Sequence, residues 1–225
     1  MLGAADPQRR TGPDVQPQAR PGLPRGIGVE EDWTMTNQEA LELFQKAGAL
    51  LTGHFRLSSG LHSGEYLEKF RLVEDPALTE PLCAELAGRF ADQGVEIVMG
   101  PTTAGIILAY CVARRLGVQA RYAELVGTVR TLRRGQSLAP GTRVLVVDDI
   151  LTTGGAVREC MGVVRAHQAE LVGVGVLGDR SGGKTDLGTR LEAVLTLDVE
   201  AFPPESCPLC AAGEPLYQPG TRRTE

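Results

Sequence analysis

Aromatic side chains are scarce in this chain: they make up 4% of 225 residues, with a single tryptophan. Single-stranded nucleic acids are held by stacking on such rings, so a general binder of that kind is disfavoured. A basic excess is also missing. Twenty-three Lys and Arg face 28 Asp and Glu, for a net charge of −5, whereas a protein that coats nucleic acid presents a basic surface. No apolar run approaches the roughly 20 residues that cross a bilayer. Neither a nucleic acid nor a membrane is therefore expected as a partner. Histidine is limited to His54, His62 and His167, whose separations offer no metal-ligand pattern. His54 and His62 are expected at the edge of a pocket, and His167 at a helix end, where a cation is favourable.

Cysteine is present in an odd number: Cys83, Cys111, Cys160, Cys207 and Cys210. Without an apolar signal segment this favours reduced thiols and a cytoplasmic setting. The first three fall in predicted helices as small core residues. Cys207 and Cys210 have the spacing of a metal half-site, but a zinc site needs about four ligands and no second such pair exists. A structural turn is expected there.

Residues 144–156, Val-Leu-Val-Val-Asp-Asp-Ile-Leu-Thr-Thr-Gly-Gly-Ala, carry the densest information. Residues 144–147 read as a short buried strand. The chain then switches to Asp148 and Asp149, turns through Thr152, Thr153, Gly154 and Gly155, and enters a helix at Ala156. Glycines let backbone N–H groups approach an anion, and a helix start adds positive dipole character. The threonines offer hydroxyl donors, and the carboxylates accept from sugar hydroxyls directly or through a cation. Such a segment is built to hold a sugar phosphate. No Gly-x-x-x-x-Gly-Lys-Ser/Thr loop is expected in the chain, so a nucleoside-triphosphatase reading has no anchor.

The remaining pattern gives one domain with appendages. Residues 1–34 hold five prolines and little apolar periodicity, too little to offset ordering entropy. They are expected to be a disordered extension, with Met35 as the suspected translation start. Residues 35–72 form an amino-terminal helix and hood, residues 73–200 the core, and residues 201–225 a tail. Asn37 is expected to cap a helix carrying Ala40, Leu41, Phe44, Ala47, Leu50 and Leu51. Asp75-Pro76 opens a second helix running to about Gln93. Strands at 95–99, 118–124, 171–177 and 190–199 alternate with helices at about 104–116 and 154–167, which implies an α/β fold with a mostly parallel sheet. Residues 126–141 read as a mobile loop or hairpin. Ligands bind such sheets at the carboxyl ends of strands. Residues 100–105, 121–135, 148–156 and 179–183 are expected to converge there.

The 144–156 stretch resembles the phosphoribosyl-pyrophosphate (PRPP) signature of the type I phosphoribosyltransferases. The segment 53–63, with its Gly-His-Phe-Arg-Leu-Ser-Ser-Gly-Leu-His-Ser sequence followed by Tyr66 and Lys69, resembles the base-binding segment of the orotate phosphoribosyltransferases. The resemblance implies a central sheet flanked by helices, a small base-binding hood and a lid loop. It implies transfer of a phosphoribosyl group from PRPP to orotate, with Mg2+ bound mainly through PRPP near Asp148 and Asp149, and a homodimer. By resemblance, PRPP falls to Asp148, Asp149, Thr102, Thr103 and Thr152 through Ala156. Orotate falls to Ser58, Ser59, Gly60, Lys69, Thr153 and Arg180, whose planar fork suits a carboxylate. Arg133 and Arg134, with Arg130, would face the departing pyrophosphate from the lid, hinged at Gly127 and Gly135. Three spellings differ from the family pattern. Ser58 stands where many members have lysine, a charge Lys69 is expected to supply. The 100–105 turn holds no lysine, and the lid lacks the usual Lys-Glu run and histidine. A purine-base phosphoribosyltransferase and a non-catalytic regulator of the same fold are the alternatives.

Overall fold

The computed structural model describes residues 34–57 and 59–219. The expected extension, apart from Thr34, and the candidate Ser58 lie outside the described residues. Helix α1 (Asn37–Lys46) is capped one residue earlier than expected. Thr36 accepts from the Glu39 amide while Glu39 reaches back to the Thr36 amide, a reciprocal capping box. Asn37 serves another purpose. Its side chain exchanges two hydrogen bonds with the backbone of Thr196, at 3.2 and 2.7 Å, and ties the helix to the far edge of the sheet. Leu50 and Leu51 are not helical. The chain turns at residues 47–48, and both leucines open β1 (Leu50–Arg56), which pairs antiparallel with β2 (His62–Leu67). Pairing with Leu67 and Tyr66 wins over helical periodicity there.

A short helix α2 (Phe70–Val73) leads to α3 (Pro76–Gly88), whose amino end is capped by Asp75 as expected. That helix stops at Gly88, and residues Ala91–Gln93 form a separate 3-10 turn. The core sheet then assembles from β3 (Ile97–Pro101), β4 (Gln119–Val126), β5 (Val129–Thr131), β6 (Arg143–Leu151), β7 (Glu170–Asp179) and β8 (Leu191–Thr196). Helix α4 (Ala104–Leu116) links β3 to β4, and α5 (Gly155–Ala166) links β6 to β7. The strand order is β5-β4-β3-β6-β7-β8, parallel except for β5. Residues expected as a mobile loop are in part the β4–β5 hairpin.

Alternation along β6 shows why its apolar run is continuous. Leu145 and Val147 enter the core layer built with Phe44, Leu86 and Val112, on the side of α1, α3 and α4. Val144 and Val146 enter the opposite layer with Val157, Cys160 and Val164 of α5. A strand covered on both faces needs apolar residues at every position.

The carboxyl-terminal tail returns to the hood. After a 3-10 turn (Pro204–Ser206) and α6 (Pro208–Ala211), β9 (Leu216–Tyr217) adds in parallel to β1 and completes a second sheet, β2-β1-β9. Among the described residues no helix is long and apolar enough to cross a membrane.

Candidate active site

Strand order reverses between β3 and β6: β4 lies outward of β3, while β7 and β8 lie outward of β6. Crevices for ligands open at such a switch point. The β3–β6 ladder ends at the pair Met99–Val146, but β6 stays paired with β7 as far as Leu151 and Asp179. The strand thus runs five residues past Val146 to Leu151, beyond the end expected at Val147, and Asp148 and Asp149 lie within it.

Adjacent residues in a strand face opposite sides, so the two acids divide the crevice between them. Asp149 faces the hood. Its Oδ2 lies 3.0 Å from Lys69 Nζ, and its Oδ1 3.4 Å from the same ammonium. Oδ2 is buried and accepts no hydrogen bond, so its contact with Lys69 is an ion pair without a directed bond. Burial alone would lower the Lys69 ammonium, but Asp149, with Asp148 and Tyr66 behind it, holds it above its ordinary value. Asp148 accepts from the Asp149 amide at 2.9 Å. Burial, reinforced by the negative charge of Asp149, pushes its carboxyl up to about 7. The charges of Lys69 and Arg130 pull the other way and do not prevail.

The turn after β6 follows the expected form. Gly154 takes φ +77, and a Cβ there would come 2.9 Å from Leu187 Cδ2, so both conformation and space call for glycine. Thr152, Thr153 and Gly155 are exposed at the start of α5. The loop after β7 braces this turn: Thr185 Oγ1 donates to the Thr152 carbonyl, and the Arg158 guanidinium to that of Asp186. Across the switch point, residues 100–105 fold tightly. A Cβ on Gly100 would lie 2.1 Å from the Gly105 carbonyl oxygen. Thr102 donates its amide to Ala123, and Thr103 opens α4.

Arg180 stands at the end of β7, its amide bonded to the Leu151 carbonyl. Among the described residues it forms no ion pair with Asp179 or Asp186; the Asp179 carboxylate instead accepts from the amides of Ser181 and Gly183 at 2.7 and 3.1 Å. Burial lowers the Arg180 guanidinium, and the neighbouring Tyr66 hydroxyl opposes that. Tyr66 in turn is raised by burial and then by Glu68, while Arg180 and Lys69 oppose the rise. Tyr66 is thus a neighbour of both Lys69 and Arg180, and Lys69 contacts Asp149. Ser59 and Gly60 form the exposed hood turn between β1 and β2.

The lid cations are differently engaged. The Arg130 side chain is largely buried, bound to Glu159 of α5 at 2.9 Å and to the Ala123 carbonyl at 3.0 Å. It is a strut, with its charge felt at Asp148. Arg133 and Arg134 are exposed, and both face Glu124, at 3.8 and 2.8 Å.

Two readings of the sequence need correction. Residues 178–185 do spell Gly-x-x-x-x-Gly-Lys-Thr, a match lying outside the signature stretch. It is no phosphate loop: Gly178 belongs to β7, β8 follows without a helix, and Lys184 pairs with Asp198 at 2.7 Å. Also, His54 and His62 are not at a pocket edge. Both are buried in the hood, and their ring nitrogens gather with the sulfurs of Cys207 and Cys210, all within 4.8 Å of one another. Linear spacing hides this, because the hairpin folds positions 54 and 62 together and the tail arrives from far along the chain. His167 does cap the end of α5, and Cys83 and Cys160 are buried helix residues.

Residues 80–187 match the model of the phosphoribosyl transferase domain. The orotate phosphoribosyltransferase of Pelotomaculum thermopropionicum is 51% identical over 189 residues, which span 84% of this chain and all of that protein. That of Desulforamulus reducens is 49% identical, with 84% and 99% covered. The crystal structure of orotate phosphoribosyltransferase from Aeropyrum pernix superposes with a TM-score of 0.59 at 30% identity, covering 69% of this chain and 92% of that one. An adenine phosphoribosyltransferase from Rhodothermus marinus, at 22% identity and a TM-score of 0.56, shares the fold. With a type I phosphoribosyltransferase fold and relatives of this identity over their whole length, the chain belongs to the orotate phosphoribosyltransferase family.

Proposed function

We propose that this protein transfers the phosphoribosyl group of PRPP to orotate, giving orotidine 5′-monophosphate and pyrophosphate in pyrimidine nucleotide synthesis. The observation that carries the reading is the junction of two half-sites. The Asp148–Asp149 strand end meets Lys69 of the hood through Asp149, and the Arg180 amide is bonded to Leu151 at the same strand end. The turn 152–156 would take the 5′-phosphate on backbone amides and threonine hydroxyls, each charge-assisted bond contributing about 1.5–3 kcal/mol. Asp148 and Asp149 would accept from the ribose hydroxyls. The 100–105 turn, with Thr102 and Thr103, would face the pyrophosphate. Ser58, Ser59, Gly60 and Thr153 would border the base, and Arg180 would pair with its carboxylate. Displacement at the anomeric carbon needs no protein nucleophile. Positioning and charge placed at the leaving group supply the rate.

A hard divalent cation takes oxygen ligands, and the two adjacent carboxylates at this strand end suit one held mainly through PRPP. Asp148 and Asp149 would stand near that Mg2+, which would supply positive charge to the pyrophosphate oxygens. Arg133 and Arg134 would add charge once released from Glu124. Two copies would form a homodimer, with the lid hairpin reaching the neighbouring site. The exposed Ile107 and Tyr110 of α4, with Leu125, Val126 and Val129 of the hairpin, favour such burial. A reducing cytoplasmic setting suits five free cysteines. The test offers PRPP and Mg2+ with orotate, adenine, guanine or xanthine and follows pyrophosphate release. Orotate alone should turn over; turnover of a purine in its place would overturn the reading.

A further inference from the structure

The tail of residues 200–219 is held on the hood in a way that its apolar content does not explain. Among its residues only Cys207 is buried, and Leu216 and Tyr217 of β9 are exposed. Its ties to the body are few, among them the β9 pairing with β1 and the Tyr217 ring 6.5 Å from that of Phe55. Phe202 exchanges two backbone hydrogen bonds with His62, and Ser63 Oγ donates to the Glu200 carbonyl at 2.7 Å. Ordering a segment of this length costs backbone entropy at every residue, and a two-residue strand cannot offset it. The one dense contact is the cluster of His54, His62, Cys207 and Cys210.

Its geometry is that of a closed ligand set. His54 Nε2 lies 3.6 Å from Cys207 Sγ and 3.7 Å from Cys210 Sγ; His62 Nδ1 lies 3.2 Å from Cys210 Sγ and 3.0 Å from His54 Nε2. A tetrahedral zinc ion, with bonds of about 2.1 Å to nitrogen and 2.3 Å to sulfur, would set these edges at about 3.6 Å for N···S and about 3.4 Å for N···N. The four separations given lie within about half an ångström of those edges, and all four donor atoms lie within 4.8 Å of one another. The protonation pattern agrees. His54 Nδ1 is 2.9 Å from the Glu214 carbonyl oxygen, which can only accept, so Nδ1 carries the proton. Nε2 is thereby left with its lone pair aimed into the cluster, the arrangement by which a backbone carbonyl orients a metal-bound imidazole. Cys207 and Cys210 flank the first turn of α6, giving the Cys-x-x-Cys spacing of a zinc half-site, and the β1–β2 hairpin supplies the two histidines.

We propose that His54, His62, Cys207 and Cys210 bind one structural Zn2+ that fastens the carboxyl-terminal tail to the hood. Soft thiolates with imidazoles in a tetrahedron select zinc over hard cations. All four protein positions are filled, so the ion is structural rather than catalytic. Its work is to fix the β1–β2 hairpin of the hood, and it does so whichever base is transferred. The ion is separate from the Mg2+ expected at Asp148 and Asp149, which lie in the core sheet.

The test is metal analysis of the full chain purified without chelator. One zinc per chain is expected in the wild type and in Cys111→Ser, and less than a tenth of that in Cys210→Ser. Cys210→His, which keeps a ligand, should retain zinc. Cobalt reconstitution should give the visible bands of a tetrahedral site with thiolate charge transfer, lost in Cys210→Ser. Limited proteolysis within residues 200–219 should accelerate at least tenfold in Cys210→Ser and not in Cys111→Ser. A metal-free wild type, a Cys207–Cys210 disulfide found by mass and thiol titration, or zinc undiminished in Cys210→Ser would each overturn the proposal.

Discussion

Lys69 and Asp149 meet across the boundary between hood and core, with the ammonium 3.0 Å from a buried carboxylate oxygen. The lysine follows β2 and the aspartate lies in β6, so one ion pair joins the two sheets. The contact is not a simple surface pair, because the carboxylate is almost wholly covered while the lysine remains 43% exposed. Removing the lysine should therefore leave an uncompensated charge inside the crevice. Lys69→Ala and Asp149→Asn should each lower kcat/KM by about 100-fold or more, the scale on which misplaced catalytic groups act. The double variant should lose far less than the product of the two, as expected of residues in contact. Additive losses in a double-mutant cycle would show that the pair is incidental. Circular dichroism should report intact folds throughout.

Asp148 sets a pH dependence of stability. Its carboxyl is raised to about 7 by burial first and Asp149 second. A carboxyl raised in the folded state favours folding below its unfolded value and loses that contribution as pH climbs through the folded one. Asp148→Asn should therefore melt at the same temperature as the wild type below about pH 4 and at a higher one above about pH 7, by several degrees. Thermal melts at both ends of that window check the sign. A variant that melts lower at pH 8 would refute it.

Arg180 is placed to sort the two substrates. Arg180→Ala should raise KM for orotate at least tenfold while leaving that for PRPP within about twofold, on the scale of a lost charge-assisted pair. Arg180→Lys should recover little, since a point charge cannot reproduce the planar fork. Equal effects on both substrates in steady-state kinetics would remove the carboxylate role.

Gly100 tests the other bank of the crevice. Its missing Cβ is what lets the Gly105 carbonyl approach, at 2.1 Å from where that carbon would stand. Gly100→Ala should cost about 1–3 kcal/mol in chemical denaturation, as overpacking does. It should also weaken PRPP more than orotate, measured by isothermal titration. A silent substitution would mean that the turn can relax without consequence.

Local patterns were the legible part of this fold. The buried run 144–147, the Asp75-Pro76 cap and the Thr-Thr-Gly-Gly turn each encode their own structure within a few residues, and each stands where it was expected. Boundaries decided by partners were not legible. Leu50 and Leu51 satisfy a helical period, but cross-strand pairing with β2 claims them. Asp148 and Asp149 look like the residues after a strand, and only the ladder to β7 carries β6 beyond them. The arginines of the lid could be named, but their engagement with Glu124 and Glu159 is set by tertiary packing. The histidines of the hood were misjudged for the same reason, since their neighbours are about 150 residues away.

That distance orders events in time. Because β9 closes the edge of β1, with His54 reaching Glu214 across 160 positions, the amino-terminal sheet stays unfinished until almost the whole polypeptide has left the ribosome. A nascent chain can build its central layers first, and the long closure comes last. A chain truncated near residue 200 would keep its central layers and lack the third strand of the hood.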